Sequence, residues 1–422
     1  MRAHLAFGKT GIVAELPEGF RYSVLEARTA QPVADETAAI EQALDHPIGC
    51  PPLRELAAGK RTAAISVCDI TRPAPNRLVL PPLLRRLEAA GIPPSEIVIL
   101  IATGLHRPAT PNEIREIVGD EVAAAYRVEN HYAREIAHHR FLGHTAAGTP
   151  VYIDQRFLDA GLHITLGFIE PHLMLGFSGG RKLIVPGLAG QETIKAIHSP
   201  KFMRQPRAVE GCIDGNPLHA ELLEIAAMAR HDFMVDVALT RERRIAAVFA
   251  GEPRAAHQAG VGMVSNLLLE RLEEPVDAAV TTAAGYPLDL TFYQSLKGVT
   301  AASHIVKPGG RILLVAACEE GPGAPEFSRM LREHPSDEGF LRHIETAPVV
   351  VDQWQLEKLA LVTREKRVLF YTPGLPPEYH ANLWGPIFPT LEAAIEGLTA
   401  GLPPDARIAV IPEGPYVLAK VL

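Results

Sequence analysis

Residues Thr62-Ala-Ala-Ile-Ser-Val-Cys-Asp-Ile-Thr-Arg-Pro73 begin as a β-prone run and end in a polar loop stopped by proline. A run without polar alternation reads as a strand buried on both faces, the usual look of a strand in a parallel sheet. The same pattern recurs along the first half. Ile97–Ala102 runs into Thr103-Gly-Leu-His-Arg-Pro108, His163–Phe168 leads to Glu170-Pro-His172, and Phe233–Leu239 reads as a further strand. Helical patterns fall between them. One lies around Arg77–Ala90, and another has Thr110 as its cap, Pro111 in the first turn, Glu113 completing a capping box and Gly119 as its stop. Strands alternating with helices predict an α/β fold of mostly parallel sheets flanked by helices.

At 422 residues the chain exceeds what one core usually serves, so two domains are expected. The pattern restarts near Glu273-Glu-Pro275. Beyond it, Ala278–Thr282 reads as a strand, Leu290–Ser303 as a helix, Lys307-Pro-Gly-Gly310 as a turn into the strand Arg311–Val315, and Val368–Tyr371 and Arg407–Ile411 as later strands. The expected division is therefore 1–270 and 271–422, with the active site in the cleft between them. At the start, His4–Phe7 and Ile12–Glu15 form a hairpin across Gly8-Lys-Thr-Gly11, and Ala3 stands where a phosphate loop would need a glycine.

Composition narrows the function. A formal net charge of −8 argues against nucleic acid or an anionic membrane surface as the main partner. No stretch approaches the roughly 20 apolar residues of a membrane span. Cys50, Cys68, Cys212 and Cys318 lie far apart with no C-x-x-C pair, which fits a reducing compartment and offers no zinc ribbon. A cytoplasmic protein is expected.

The chemistry collects in the loops after the strands. In an open parallel sheet the carboxyl ends of the strands share one edge, where ligands bind. Asp69, Thr71, Arg72, His106, Arg107 and His172 would converge there; singly, each also reads as an ordinary cap, turn or surface residue. Leu175-Gly-Phe-Ser-Gly-Gly-Arg-Lys182 is the richest stretch. Its glycines, including Gly179 and Gly180, let backbone approach an anion, Ser178 can donate to a phosphate, and Arg181 and Lys182 add charge. A like charge beside Lys182 would lower its pKa and favour a covalent bond to a carbonyl-type cofactor. The same stretch fits G-x-S-x-G, which keeps a serine hydrolase using Ser178 as an alternative, although an extended Arg181–Gly187 follows where that motif needs a helix. His198 ends a short helix with no partner ligand at helical spacing, so a metal there would draw most ligands from elsewhere, such as a cofactor. His131, His138, His139 and His144 read as a solvated face. In the second half Tyr293, Gln294 and Lys297 share a helix face suited to a carboxylate.

Together these elements resemble the nickel-pincer-nucleotide racemases and epimerases of 2-hydroxy acids, the lactate-racemase-like family. The resemblance rests on D-x-T-R-P at Asp69–Pro73, G-L-H-R-P at Gly104–Pro108, E-P-H-x-x-x-G-F-S-G-G-R-K at Glu170–Lys182, His198, and Y-Q-x-x-K at Tyr293–Lys297. It implies a racemase or epimerase of a small 2-hydroxy acid. The implied cofactor is nickel held by pyridinium-3,5-bisthiocarboxylic acid mononucleotide, the nickel-pincer nucleotide, joined covalently to Lys182. His198 would be the protein's nickel ligand, and His106 and His172 the paired acid/base residues for a hydride-transfer mechanism. Asp69, Ile70, Thr71, Arg72, Ser178, Gly179, Gly180, Gln294 and Lys297 would line the cofactor, with Arg72, Tyr293 and Lys297 on the substrate. Cofactor-maturation enzymes are the implied partners. A non-catalytic homologue that binds a nucleotide or hydroxy acid is the second alternative.

Overall fold

The computed structural model describes residues 1–28 and 30–421. The chain divides into two compact units. One comprises 30–197 and 212–267, and the other 1–28, 198–211 and 268–421.

The unit of 30–197 and 212–267 is built on a six-stranded sheet. Its strands in chain order are Ala63–Cys68, Ile97–Ala102, Arg127–Asn130, Leu162–Phe168, Phe233–Leu239 and Ile245–Gly251. All neighbours pair in parallel except the last, which runs antiparallel along the Phe233–Leu239 strand. The apolar runs are continuous because helices cover the sheet: Ile65, Val67, Ile99, Ile101, Ile164 and Leu166 are all fully buried. Burying each such side chain stabilises the fold by about 1.5–3 kcal/mol.

Across the sheet, with strands numbered in chain order, the sequence is 3-2-1-4-5-6. This is the doubly wound order, whose direction of winding reverses between strands 1 and 4. Here those strands are Ala63–Cys68 and Leu162–Phe168, paired directly along Ala63–Val67. The loops after them carry Asp69–Arg72 and Glu170–His172, and the loop after the neighbouring Ile97–Ala102 strand carries His106. The helix Pro111–Val118 starts with both capping-box bonds of Thr110 and Glu113 in place and stops at Gly119.

The other unit holds a five-stranded, wholly parallel sheet of Arg21–Val24, Val276–Thr282, Val306–Val315, Arg367–Tyr371 and Arg407–Ile411. The Lys307–Gly310 segment expected as a turn is part of the long Val306–Val315 strand. The first 28 residues belong here because Arg21–Val24 pairs in register with Arg407–Val410. The Arg2–Leu5 and Ile12–Glu15 strands form the expected antiparallel hairpin. Tyr293, Gln294 and Lys297 lie on the helix Phe292–Ser303, which follows the Val276–Thr282 strand. No helix among the described residues is long and apolar enough to cross a membrane.

Candidate active site

Asp69 is the pivot of the loop after the first strand. Its side chain is 5% exposed and is held between Thr71 and His106. Oδ1 accepts from the Thr71 amide at 3.2 Å and the Thr71 hydroxyl at 2.6 Å, and Oδ2 meets His106 Nδ1 at 2.6 Å. Burial pushes this carboxyl upward, but hydrogen bonds and charge from His106, the Thr71 hydroxyl and the Arg72 charge outweigh it. The pKa ends below the ordinary aspartate value. The His106 side chain is 51% exposed, so an imidazole anchored at one nitrogen presents the other outward. Arg107 turns instead onto Glu113, through two short hydrogen bonds of 2.6 and 2.8 Å.

His172 is placed by the turn that follows it. Pro171–His172 pairs antiparallel with Gly176–Phe177, and the Met174 amide donates to His172 Nδ1 at 3.4 Å. Gly176 closes this turn with φ at +76°, where a Cβ would lie 2.3 Å from the Cys212 carbonyl oxygen. Ser178 ties the loop to the sheet: its hydroxyl donates to the Phe168 carbonyl at 2.9 Å and accepts from the Glu170 amide at 3.0 Å. A serine 4% exposed that donates to a backbone carbonyl lacks the base contact of a nucleophile, which counts against the hydrolase alternative.

Lys182 sits on the 3-10 turn Gly180–Leu183, and its carbonyl accepts from the Gly187 amide. The Gly187 carbonyl in turn accepts from the Gly104 amide at 3.0 Å, tying the lysine loop to the loop that carries His106. The buried Cys68 thiol registers the same clustering. Burial raises its pKa, the charges of Asp69 and Asp236 add to that, and those of Arg72 and Lys182 oppose it. The loops that carry Asp69, Arg72, His106 and Lys182 are thus tied together at the reversal point of one sheet. Ile70 is half-buried and packs against the core beneath.

His198, Tyr293, Gln294 and Lys297 belong to the other unit. The His198 ring lies against Trp354, with centroids 4.3 Å apart, and Trp354 Nε1 donates to the Tyr293 hydroxyl at 3.2 Å. Gln294 Oε1 is buried and has no hydrogen-bond partner among the described residues. A buried acceptor left without a donor is costly in a folded chain and is what a ligand's donor group would satisfy. No group of three or more His, Cys, Asp or Glu arranged to hold a metal occurs among the described residues.

Residues 7–211 match the lactate racemase N-terminal domain and residues 272–419 the lactate racemase C-terminal domain. The lactate racemase of Lactiplantibacillus plantarum is 34% identical over 94% of this chain and 94% of its own. The chain belongs to the lactate racemase family. It is accordingly an enzyme, an isomerase of the racemase class. The lactate racemase of Thermoanaerobacterium thermosaccharolyticum is 31% identical over 99% of this chain and 98% of its own. The structure of that organism's lactate racemase apoprotein superposes with a TM-score of 0.92 at 31% identity, covering 100% of both chains. A Thermotoga maritima protein at 18% identity and a TM-score of 0.69, covering 93% of this chain and 100% of its own, shares the fold.

Three sequence expectations change on this lactate racemase scaffold. Arg181 does not join Lys182 at an anion. It is 2% exposed, and its guanidinium donates to the Phe177, Gly179, Leu175 and Ser178 carbonyls, with the His257 ring at 2.7 Å. Burial lowers its pKa to about 9, with Asp236 opposing, which leaves it a cation at neutral pH. Ser178 holds the backbone rather than offering its hydroxyl outward. His131 and His139 are buried, not part of a solvated face: His131 Nδ1 faces Asp154 and Nε2 the Ala189 carbonyl, each at 3.0 Å. Sequence reasoning missed Trp354 and Asp236. Neither stands in a motif, and only the fold brings them to the His198 ring and the Gly179–Gly180 backbone.

Proposed function

We propose that this enzyme racemises or epimerises a small 2-hydroxy acid of the lactate type, with His106 and His172 as its acid/base pair. Support comes above all from the Asp69–His106 pair at the sheet's reversal point, beside Arg72 and Lys182. A carboxylate-anchored imidazole is the residue type that exchanges a hydroxyl proton near neutral pH. His106 Nε2 takes the proton of the substrate hydroxyl, and His172 serves the mirror-image enantiomer. The Arg72 guanidinium and the Lys297 ammonium hold the carboxylate, a task for which a planar guanidinium is well shaped.

The residues fit the nickel-pincer nucleotide that the family resemblance implies. Lys182 would carry it covalently, and His198, braced on Trp354, would be the protein's ligand to nickel. The orphaned Gln294 Oε1 would accept from it, as a buried acceptor needs. When bound, such a cofactor would supply a reversible acceptor for the C2 hydride. The protein orients the substrate around that chemistry. Maturation enzymes that supply the cofactor, and a cytoplasmic site of action, complete the reading.

The test is expression together with those maturation enzymes. Intact-mass measurement should show an adduct that Lys182→Ala abolishes, and chiral chromatography should show one enantiomer of lactate converted to the racemate. His198→Ala should keep the adduct and lose the nickel, read by metal analysis. A loaded enzyme with a Lys182 adduct that converts no 2-hydroxy acid would defeat the reading.

A further inference from the structure

We infer that the two acid/base histidines are held in opposite tautomers, His106 presenting a bare Nε2 and His172 an Nε2–H. This deepens the racemase reading and rests on it for its catalytic meaning. The assignment itself comes from hydrogen-bond bookkeeping at two anchors.

The first anchor is Asp69. Oδ1 accepts from both the amide and the hydroxyl of Thr71, so this carboxyl acts there as an acceptor only. Its partners favour the ionised form, which has no proton to give to His106. The 2.6 Å contact between Oδ2 and His106 Nδ1 therefore needs the hydrogen on Nδ1. In the neutral ring that leaves Nε2 with its lone pair. His106 is thereby set as a base. The charged groups near it include Asp69, Arg72 beside Asp69, Lys182 on the loop tied to its own, and Arg107, which is turned away onto Glu113.

The second anchor is the Met174 amide. A backbone N–H can only donate, so the His172 nitrogen that receives it at 3.4 Å, Nδ1, is the bare one. The neutral ring then carries its hydrogen on Nε2. In this state His172 cannot take a proton there, but it can hydrogen-bond to a carbonyl oxygen, the use made of a neutral imidazole in other enzymes that polarise carbonyls. The pair is thus set for proton removal from one enantiomer: the hydroxyl proton goes to His106 Nε2 and is later released to solvent. Meanwhile His172 Nε2–H steadies the oxygen of the keto acid and passes its proton to the product hydroxyl once Nδ1 has taken one from solvent. Turnover from the other enantiomer requires His172 to let go of the Met174 amide and move its hydrogen to Nδ1.

Long-range ¹H–¹⁵N correlation spectra of the full-length protein, labelled at histidine and recorded from about pH 6 to about pH 9, read both tautomers directly. His106→Gln and His172→Gln assign the two rings. The neutral limb should show His106 protonated at Nδ1 and His172 protonated at Nε2. The reverse at either ring overturns the inference. Asp69→Asn adds a readout that a merely structural role would not move. Its carboxamide can donate to Nδ1, so the His106 hydrogen should shift to Nε2, and racemisation by the cofactor-loaded variant should fall about a thousandfold or more with the Lys182 adduct retained. A His106 spectrum unchanged in Asp69→Asn would also overturn it. Spectra as expected from a loaded enzyme that turns over no hydroxy acid would uphold the tautomers and defeat the racemase reading; racemisation with the opposite tautomers would do the converse.

Discussion

The Thr71 hydroxyl reaches Asp69 at 2.6 Å without touching His106, so it separates orientation of the base from the base itself. Thr71→Val keeps the shape and the amide bond but removes one donor to the carboxylate. A hydrogen bond to a charged group contributes about 1.5–3 kcal/mol. Its loss should let the Asp69 pKa climb toward the ordinary value and loosen the imidazole. We expect kcat of the loaded enzyme to fall roughly tenfold with little change in KM, because the interaction acts on proton transfer rather than on substrate binding. A change confined to KM would place Thr71 on the substrate instead. The linkage also has a sign. Asp69's depressed pKa contributes stability above the ordinary aspartate value, and that stability is lost as pH falls through the folded value. Asp69 and His106 were legible in the sequence as loop residues after strands. Their contact was not, because nothing in a sequence says which of several polar loop side chains a buried carboxylate will meet.

The turn that presents Lys182 depends on a carboxylate one layer below it. Asp236, on the Phe233–Leu239 strand, is fully buried, and its Oδ2 accepts from the Gly180 amide at 2.8 Å. Gly179 has φ at +86°, and a Cβ there would lie 2.2 Å from that same oxygen. Gly179→Ala should therefore unsettle the turn, and the Lys182 adduct should form in a markedly smaller fraction of molecules by intact mass. Burial lifts the Asp236 pKa to about 7, against the Gly180 amide and the Arg181 charge. With the folded value raised, its stabilisation is complete below the ordinary aspartate value and is lost as pH rises toward about 7. Asp236→Asn keeps an oxygen for the Gly180 amide and cannot ionise. Calorimetry should find the two proteins alike near about pH 4 and the variant the more stable above about pH 7; equal Tm differences at both ends would contradict the assignment. The strands of this sheet were legible because apolar runs between polar loops have one reading. The divergence of Arg181 and Lys182 was not: on a 3-10 turn consecutive side chains point about 120° apart. One goes into the core and the other away from it.

At the scale of the whole chain, the part least visible in the sequence is the segment 198–211, which belongs to the unit of 268–421 although it lies between two stretches of the other. Beside the buried Phe202 and Met203, its attachment is polar and long-range, and no local pattern announces those contacts. Arg204 pairs with Glu357 at 2.9 Å and Glu345 at 2.7 Å, and Glu210 meets His304 at 2.7 Å and the Thr300 hydroxyl at 2.9 Å. Lys358 is a buried cation among them. Its ammonium donates to the Met203 carbonyl at 3.0 Å and the Ala208 carbonyl at 2.8 Å, and burial lowers its pKa against the charges of Glu210 and Glu357. Lys358→Met preserves the volume of the stem but leaves two carbonyls without a donor and two acids without their nearest buried cation. Breaking a buried charged set of this kind costs about 3–5 kcal/mol. Since His198 begins this segment, the cost should appear locally as well as globally. The variant should lose several degrees in Tm, and limited proteolysis under native conditions should cut within 198–211 before any other site. If the fall in Tm comes with cleavage spread over both units, Lys358 supports the fold as a whole rather than the segment that carries His198.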